Sequence, residues 1–324
     1  MKRSTRWTVA LAALAALSRL SLQTLAAETP TPPGPSQSPG APAGPGDMLQ
    51  TLKNLFGPVQ PIERIAENLY LIRGGGGNSL VWVWSKGVLL VDSKIPTSGQ
   101  AIIEQIRTVT DKPITQIVDT HAHLDHSGAN AEFGSSVEII SQENTRADML
   151  KSRQYQGDAS KPGLPTKTFK DHLQLFEGKD EVDLYYFGRA HTDGDALVVF
   201  PAVRFMHSGD VFSRKELPKI DFQNGGSGVE LPNTLARAVA SIKGVDFVVG
   251  GHSDGVLTWQ DFVAQASLTR QWLDYERAQQ RAGATPEATL DSFVMPNGFK
   301  DYTRGLGGFG GVATVRGTFA ELAN

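Results

Sequence analysis

The stretch Thr120-His121-Ala122-His123-Leu124-Asp125-His126-Ser127-Gly128-Ala129-Asn130 places three of the chain's seven histidines within six residues, with an aspartate between the last two. The apolar run Ile114 to Val118 leads into it and reads as a buried strand. In an extended segment, residues two apart project to the same side, so His121 and His123 can offer two imidazole nitrogens to one ion. Asp125 and His126 then follow in a tight turn that aims them at a second, nearby position. Neutral imidazole combined with carboxylate suits zinc, and also manganese or iron, better than calcium or magnesium. A solvated polar turn is the weaker reading of so dense a motif.

The remaining candidates are sorted by what surrounds them. His191 lies in Gly188-Arg-Ala-His-Thr-Asp-Gly-Asp195 and His252 in Val248-Val-Gly-Gly-His-Ser-Asp-Gly255, each in a glycine-containing loop after a predicted strand. Asp210, in His207-Ser-Gly-Asp210, repeats the pattern with a carboxylate. Loops at strand ends can converge on one edge of a strand scaffold, so these three join the metal-ligand candidates. His172 and His207 lack that setting and read as surface or satisfied core histidines. Asp92, Asp193 and Asp195 read as groups that shape turns or orient ligating imidazoles. The glycines Gly74 to Gly77 are followed by neither Lys-Ser nor Lys-Thr and open no helix, so they read as a flexible turn and not as a phosphate loop.

Working outward, 68–73, 79–84 and 87–91 are predicted strands, the last two joined by a Ser85-Lys86-Gly87 turn. A helix is expected over 96–108, a strand over 114–119, a short helix from Ser127 as N-cap to Phe133, a strand over 137–140 and a helix over 143–153. The segment 157–168 reads as a loop without a core pattern. Short strands at 173–176, 182–187, 196–200 and 203–207 suggest a second, largely antiparallel sheet. Helices over 231–242 and 259–281 flank a strand at 247–249. Two strand-plus-helix halves of this kind pack as two sheets face to face with helices outside.

Asp92, the His121-x-His123-x-Asp125-His126 cluster, His191, Asp210 and His252, in this order and at these distances, resemble the five signature motifs of the metallo-β-lactamase fold superfamily. The resemblance runs from about Leu69 to Gly255. It implies an α/β fold: a four-layer αββα sandwich of two mixed β-sheets with helices on both outer faces. It also implies two Zn2+ ions, one held by His121, His123 and His191 and the other by Asp125, His126 and His252, with Asp210 bridging them. The bridging aspartate, in a chain without cysteine, is more similar to thioesterases, lactonases and other hydrolases of the superfamily than to its cysteine-bearing antibiotic-degrading members.

The N-terminus adds a location. Lys2, Arg3 and Arg6 precede an apolar run from Trp7 to Leu17, and small residues at Thr24, Ala26 and Ala27 offer a cleavage site, the layout of a signal peptide over 1–26. The run is short for a membrane span, so no stable membrane anchor is expected after cleavage. A Pro/Gly-rich linker with a short helix is expected over 27–58, the metallo-β-lactamase-like domain over 59–285, and a C-terminal extension of unassigned role over 286–324. Cleavage removes four basic residues and no acidic one from a chain of formal net charge −3. An acidic mature protein argues against nucleic acid as a partner. With no cysteine, neither disulfides nor thiolate ligands are available.

The resulting expectation is a periplasmic or secreted metal-dependent hydrolase acting on a small-molecule substrate: an ester, thioester, lactone or lactam opened by water that two metal ions activate. Asp125 would orient that water and relay its proton, and Phe222, Asn224 and Tyr155 are candidate substrate contacts. An iron-dependent oxidoreductase on the same fold and a non-catalytic metal-binding protein are the rival readings.

Overall fold

The computed structural model describes residues 45–158, 160–305 and 311–324; the expected signal peptide and most of the expected linker lie outside them. Helix α1 (Pro45–Phe56) comes first. Then follow β1 (Glu63–Ala66), β2 (Leu69–Ile72), β3 (Ser79–Trp84), β4 (Gly87–Val91), α2 (Gly99–Arg107), β5 (Ile114–Val118), α3 (Leu124–Ser127), β6 (Glu138–Gln142), α4 (Glu143–Lys151) and β7 (Lys167–Phe169). The second half supplies β8 (His172–Leu175), β9 (Val182–Tyr185), β10 (Leu197–Phe200), β11 (Phe205–His207), α5 (Leu231–Ser241), β12 (Phe247–Val249), β13 (Leu257–Thr258), α6 (Trp259–Arg281), α7 (Pro286–Ser292) and α8 (Val312–Leu322).

The strands form two mixed sheets, one in the sequential order β1 to β7 and one in the order β13-β12-β11-β10-β9-β8. In the first, β1 to β4 pair antiparallel and β4 to β7 parallel, while in the second only β11 and β12 run parallel. Alternation along each strand decides what lies between the layers. Leu80 and Trp82 of β3 and Leu89 and Val91 of β4 meet Leu184, Val198 and Phe200 of the other sheet in the central core. Their neighbours Val81, Val88 and Leu90 turn outward against Ile102 and Ile106 of α2. On the opposite outside, Val199 and Met206 pack against Leu235 of α5 and Phe262 of α6. Helices therefore cover both outer faces, as the αββα expectation requires.

Several boundaries differ from expectation for identifiable reasons. Helix α2 begins at Gly99 and not at 96, because Thr97 has φ +73° and the backbone N–H groups of Thr97 and Gly99 donate to the Glu132 carboxylate at 2.6 and 2.9 Å. That cap comes from a distant residue, so no local signal marks it. Ser127 closes α3 instead of capping the next helix, and its hydroxyl donates to the His123 carbonyl at 3.0 Å. The 3-10 turn Asn130–Phe133 follows separately. The described part of segment 157–168 is loop with one 3-10 turn, Lys161–Gly163, as its composition suggests, except that its last two residues enter β7, which pairs parallel with β6.

The C-terminal residues that the sequence left without a role build a satellite core: Leu268 and Trp272 of α6 pack with Phe293, Phe299, Tyr302 and Val315. Residues 306–310 lie outside the described residues. Between α6 and α8, Glu276 is 1 % exposed, and its Oε1 has no hydrogen-bond partner. Burial, with Glu321 adding to it and a Thr318 hydrogen bond opposing, pushes this carboxyl well above its ordinary value of 4.5. The folded chain then keeps a proton that the unfolded chain has already released, so stability falls as the pH rises above 4.5. Replacing Glu276 by Gln removes the ionisable group and should raise the melting temperature at pH 8 by about 2–4 °C. By scanning calorimetry the gain should vanish near pH 4.

Candidate metal centre

The strand order brings the candidate residues to one edge of the sandwich. The β5 strand ends at Val118, beside Val91 of β4, so Asp92 sits next to the chain entering the histidine cluster. On the second sheet β11 and β12 are parallel, with His207 opposite Val249. Asp210 and His252 each lie three residues beyond that pair and so emerge side by side. His191 arrives from the loop after β9.

All seven candidates converge. His121 Nε2 lies 3.0 Å and His191 Nε2 3.1 Å from His123 Nδ1. Nearby, His252 Nε2 is 3.3 Å from His126 Nε2 and 3.1 Å from Asp125 Oδ2. Three donors about 2.0–2.1 Å from a tetrahedral zinc stand about 3.3–3.4 Å apart, so the spacings of 3.0–3.3 Å come close to those of ligands around a shared centre. Three groups, His121/His123/His191, His121/His126/Asp210 and Asp125/His126/His252, keep their donor atoms within 4.8 Å of one another. Asp210 lies between the outer two: Oδ1 is 3.7 Å from His126 Nε2, while Oδ2 is 3.8 Å from His191 Nε2 and 3.5 Å from His252 Nε2.

The donor set fits a bound cation. Asp210 Oδ1 is buried without a hydrogen-bond partner, an unfavourable state that a metal would relieve. Burial alone would raise the Asp125 and Asp210 carboxyls, yet the surrounding histidines hold both well below the usual carboxylate range. Burial, with His126, His123 and His191 adding to it, lowers His121, which keeps that ring neutral and able to donate a lone pair. Close packing is also built in: a Cβ on Gly251 would stand 2.0 Å from Asp210 Oδ1, and one on Gly77 would stand 2.3 Å from the His126 ring.

The imidazoles of His121, His123, His126 and His191 are each oriented through the other nitrogen. Buried Asp92 accepts from His126 Nδ1 at 2.7 Å through Oδ2, and also from the Thr120 backbone N–H and hydroxyl at 2.8 Å each. Thr120 Oγ1 is in turn 3.0 Å from His121 Nδ1. The Lys219 carbonyl accepts from His191 Nδ1 at 2.8 Å. His123 Nε2 donates to Asp221 Oδ2 at 2.7 Å, and Asp221 is itself held by Asn224 Nδ2 at 2.7 Å. Against its burial, these bonds bring Asp221 down to about 2, so it stays an acceptor.

Asp221 is the functional residue that sequence reasoning missed. Its local signal, an aspartate accepting from the Gln223 N–H at 2.9 Å, is that of an ordinary turn, and His123 is 98 residues away. The candidate substrate contacts fare unevenly. Asn224 borders the cleft over the centre. Tyr155 does not: it is 5 % exposed, with its hydroxyl 2.7 Å from Ser127 Oγ. Phe222 packs instead against the α8 glycine Gly317. Asp195 serves its own turn, accepting from Thr192 N–H at 2.7 Å. His207 is a satisfied core histidine on the Asn78 carbonyl at 2.9 Å, and His172 lies at the surface against Asp183 at 2.8 Å.

The family model described as "Metallo-beta-lactamase superfamily" matches residues 68–273. The chain belongs to that superfamily. Among curated proteins it is 24% identical over 244 residues to a type 2 metallo-beta-lactamase of Elizabethkingia meningoseptica, covering 70% of this chain and 91% of that one. It is 27% identical over 157 residues to the alpha subunit of a 2,4-dinitroanisole O-demethylase of Nocardioides sp. (strain JS1661), 47% of this chain and 46% of the other. Among solved structures, a stereoselective inverting sec-alkylsulfatase from Pseudomonas sp. superposes with TM-score 0.67 at 14% identity, over 85% of this chain but only 52% of its own length. The DIM-1 metallo-beta-lactamase gives TM-score 0.57 at 16% identity over 67% of this chain and 99% of its own. These structures share the fold of this superfamily member.

Replacing Asp221 by Ala should weaken zinc binding about 10- to 100-fold without loss of helix or strand content. Competition against a chromogenic chelator, with circular dichroism in parallel, measures both. Asp221→Asn, which keeps an acceptor for His123 Nε2, should fall between parent and alanine.

Proposed function

We propose that this chain is an exported dinuclear zinc hydrolase that cleaves an ester, thioester, lactone or lactam. One observation carries the reading: two complete three-donor groups, with Asp210 between them, converge at a cleft of about 1420 Å³. His121, His123 and His191 would hold one ion, Asp125, His126 and His252 the other, and Asp210 would bridge. Such a pair supplies an activated water and polarises the scissile carbonyl. Imidazole and carboxylate donors suit zinc first and would also accept manganese or iron. Export rests on the signal-peptide pattern of residues 1–26. Among the described residues, no helix is long and apolar enough to cross a membrane.

The chain's own groups would do the rest. Asp125 turns Oδ2 towards His252 and His126, at 3.1 and 3.5 Å, which leaves Oδ1 to orient the attacking water, take its proton and deliver it to the leaving group. Leu52 and Phe56 of α1, with Leu124 and Leu257, give the cleft apolar lining, while Asn224 adds an amide. A space of this volume exceeds what a compact substrate fills, so a substrate with a sizeable apolar part suits it better than an acetyl ester.

The test is a panel of chromogenic esters, lactones, thioesters and cephalosporins on metal-analysed protein, extended to aryl ethers and alkyl sulfates in view of the relatives' names. Zinc near two equivalents with turnover of at least one carbonyl substrate is expected. His121→Ala should reduce turnover to background, and Asp125→Asn should lower it about 10²- to 10⁴-fold, both with native circular dichroism. Redox-active iron, or silence across the panel at full zinc occupancy, would overturn the reading.

A further inference from the structure

Lys94 is wholly buried and among the largest side chains with no exposure. Among the described residues no carboxylate lies within 4.0 Å of its ammonium. It donates to two backbone carbonyls, Ile72 O at 2.9 Å and Gly77 O at 2.7 Å, which bracket the glycine segment Gly74 to Gly77. Burying an ammonium costs several kcal/mol unless its surroundings repay it, so its presence needs a reason. Burial pulls the Lys94 amine down to about 7, and the carboxylates of Asp92 and Asp125 offset part of that cost as nearby negative charge. The two carbonyl hydrogen bonds offset more of it, and they fix a segment with little shape of its own: Gly74, Gly75 and Gly76 all have positive φ.

That segment touches one side of the metal centre. The Gly77 N–H donates to the Asp125 carbonyl at 2.8 Å, and Gly77 stands so near the His126 ring that a Cβ there would clash with it. The next residue, Asn78, grips the His252 loop on both sides: its N–H donates to Gly251 O at 2.6 Å, and its Nδ2 donates to Gly250 O and Ser253 O at 2.8 Å each. Meanwhile the Lys94 backbone N–H donates to the His126 carbonyl at 3.1 Å. Asp125, His126 and His252, the three members of one donor group, are thus all braced by Lys94 or by the segment it organises. His123 and His191 are held from another side, by the Asp221 carboxylate and the Lys219 carbonyl.

We propose that Lys94 is a positioning residue that shapes the Gly74–Asn78 segment into a buried template for the Asp125/His126/His252 group, and for that group selectively. The proposal rests on the dinuclear reading above. Its test is zinc affinity measured by chelator competition on the full chain, arranged as a cycle. With His191→Ala, which cripples the first group, adding Lys94→Met should weaken the remaining site about 10- to 100-fold. With His252→Ala, which cripples the second, adding Lys94→Met should change the remaining affinity less than about threefold. A general loss of structure would weaken both backgrounds alike. Asn78→Ala, run beside it, removes the two side-chain bonds to the His252 loop with Lys94 intact, should give the same asymmetry, and decides the matter if Lys94→Met does not fold. Equal effects in both backgrounds, or none in either, overturn the proposal. A parent chain that binds no zinc overturns the dinuclear reading and the proposal together.

Discussion

The carboxylate of Asp92 is the joint on which the site depends. It has φ +61°, is fully buried, and holds the Thr120 backbone, the Thr120 hydroxyl and the His126 ring at 2.7–2.8 Å. Those three bonds tie the end of β4 to the chain leaving β5 and fix His126 with Nε2 facing the centre. A buried carboxylate is expensive unless every lone pair finds a donor, and here the donors are the elements that must be held in register. The same residue then anchors the loop that carries Lys94 into the interior.

The rest of the constellation follows from sheet topology. The parallel pairing of β11 and β12 sends Asp210 and His252 out together, and the parallel run from β4 to β7 delivers Asp92 and the histidine cluster on the facing sheet. The two sheets are closed over one another by alternating apolar residues, and the Thr120 carbonyl accepts from Ala196 N–H at 2.8 Å across the gap. The core is therefore also the ruler of the site: inter-sheet distance sets the separation between histidines that lie up to 131 residues apart, His121 and His252. Charge-bearing groups concentrate at this edge, where Asp125 and Asp210 remain ionised despite burial because histidines face them.

Much of this was legible in the chain. The His121-x-His123-x-Asp125-His126 spacing, together with His191, Asp210 and His252 in glycine-marked strand-end loops, marks a metal site because donor type and loop position are local properties. The αββα layering was legible for the same reason, since period-2 strands and amphipathic helices announce their buried faces. Less legible were features made by meetings between distant residues. Glu132 caps α2 from 33 residues away, Asp221 orients His123, and β7 emerges from a segment whose composition reads as loop. By composition the glycine segment Gly74 to Gly77 reads as flexible, whereas the fold buries Gly75, Gly76 and Gly77 against the site and ties Gly77 to Lys94.

By itself, then, the sequence determined the superfamily, the layer order and the identity of seven candidate donors, because each is encoded in residue type and short-range spacing. Only the tertiary structure decided which nitrogen of each imidazole faces the centre and which buried residues brace them. Those choices depend on hydrogen bonds between distant residues, 98 apart for His123 and Asp221 and 175 apart for Asn78 and Ser253, and on Cβ-sized clearances at Gly77 and Gly251. Neither exists until the two sheets have closed.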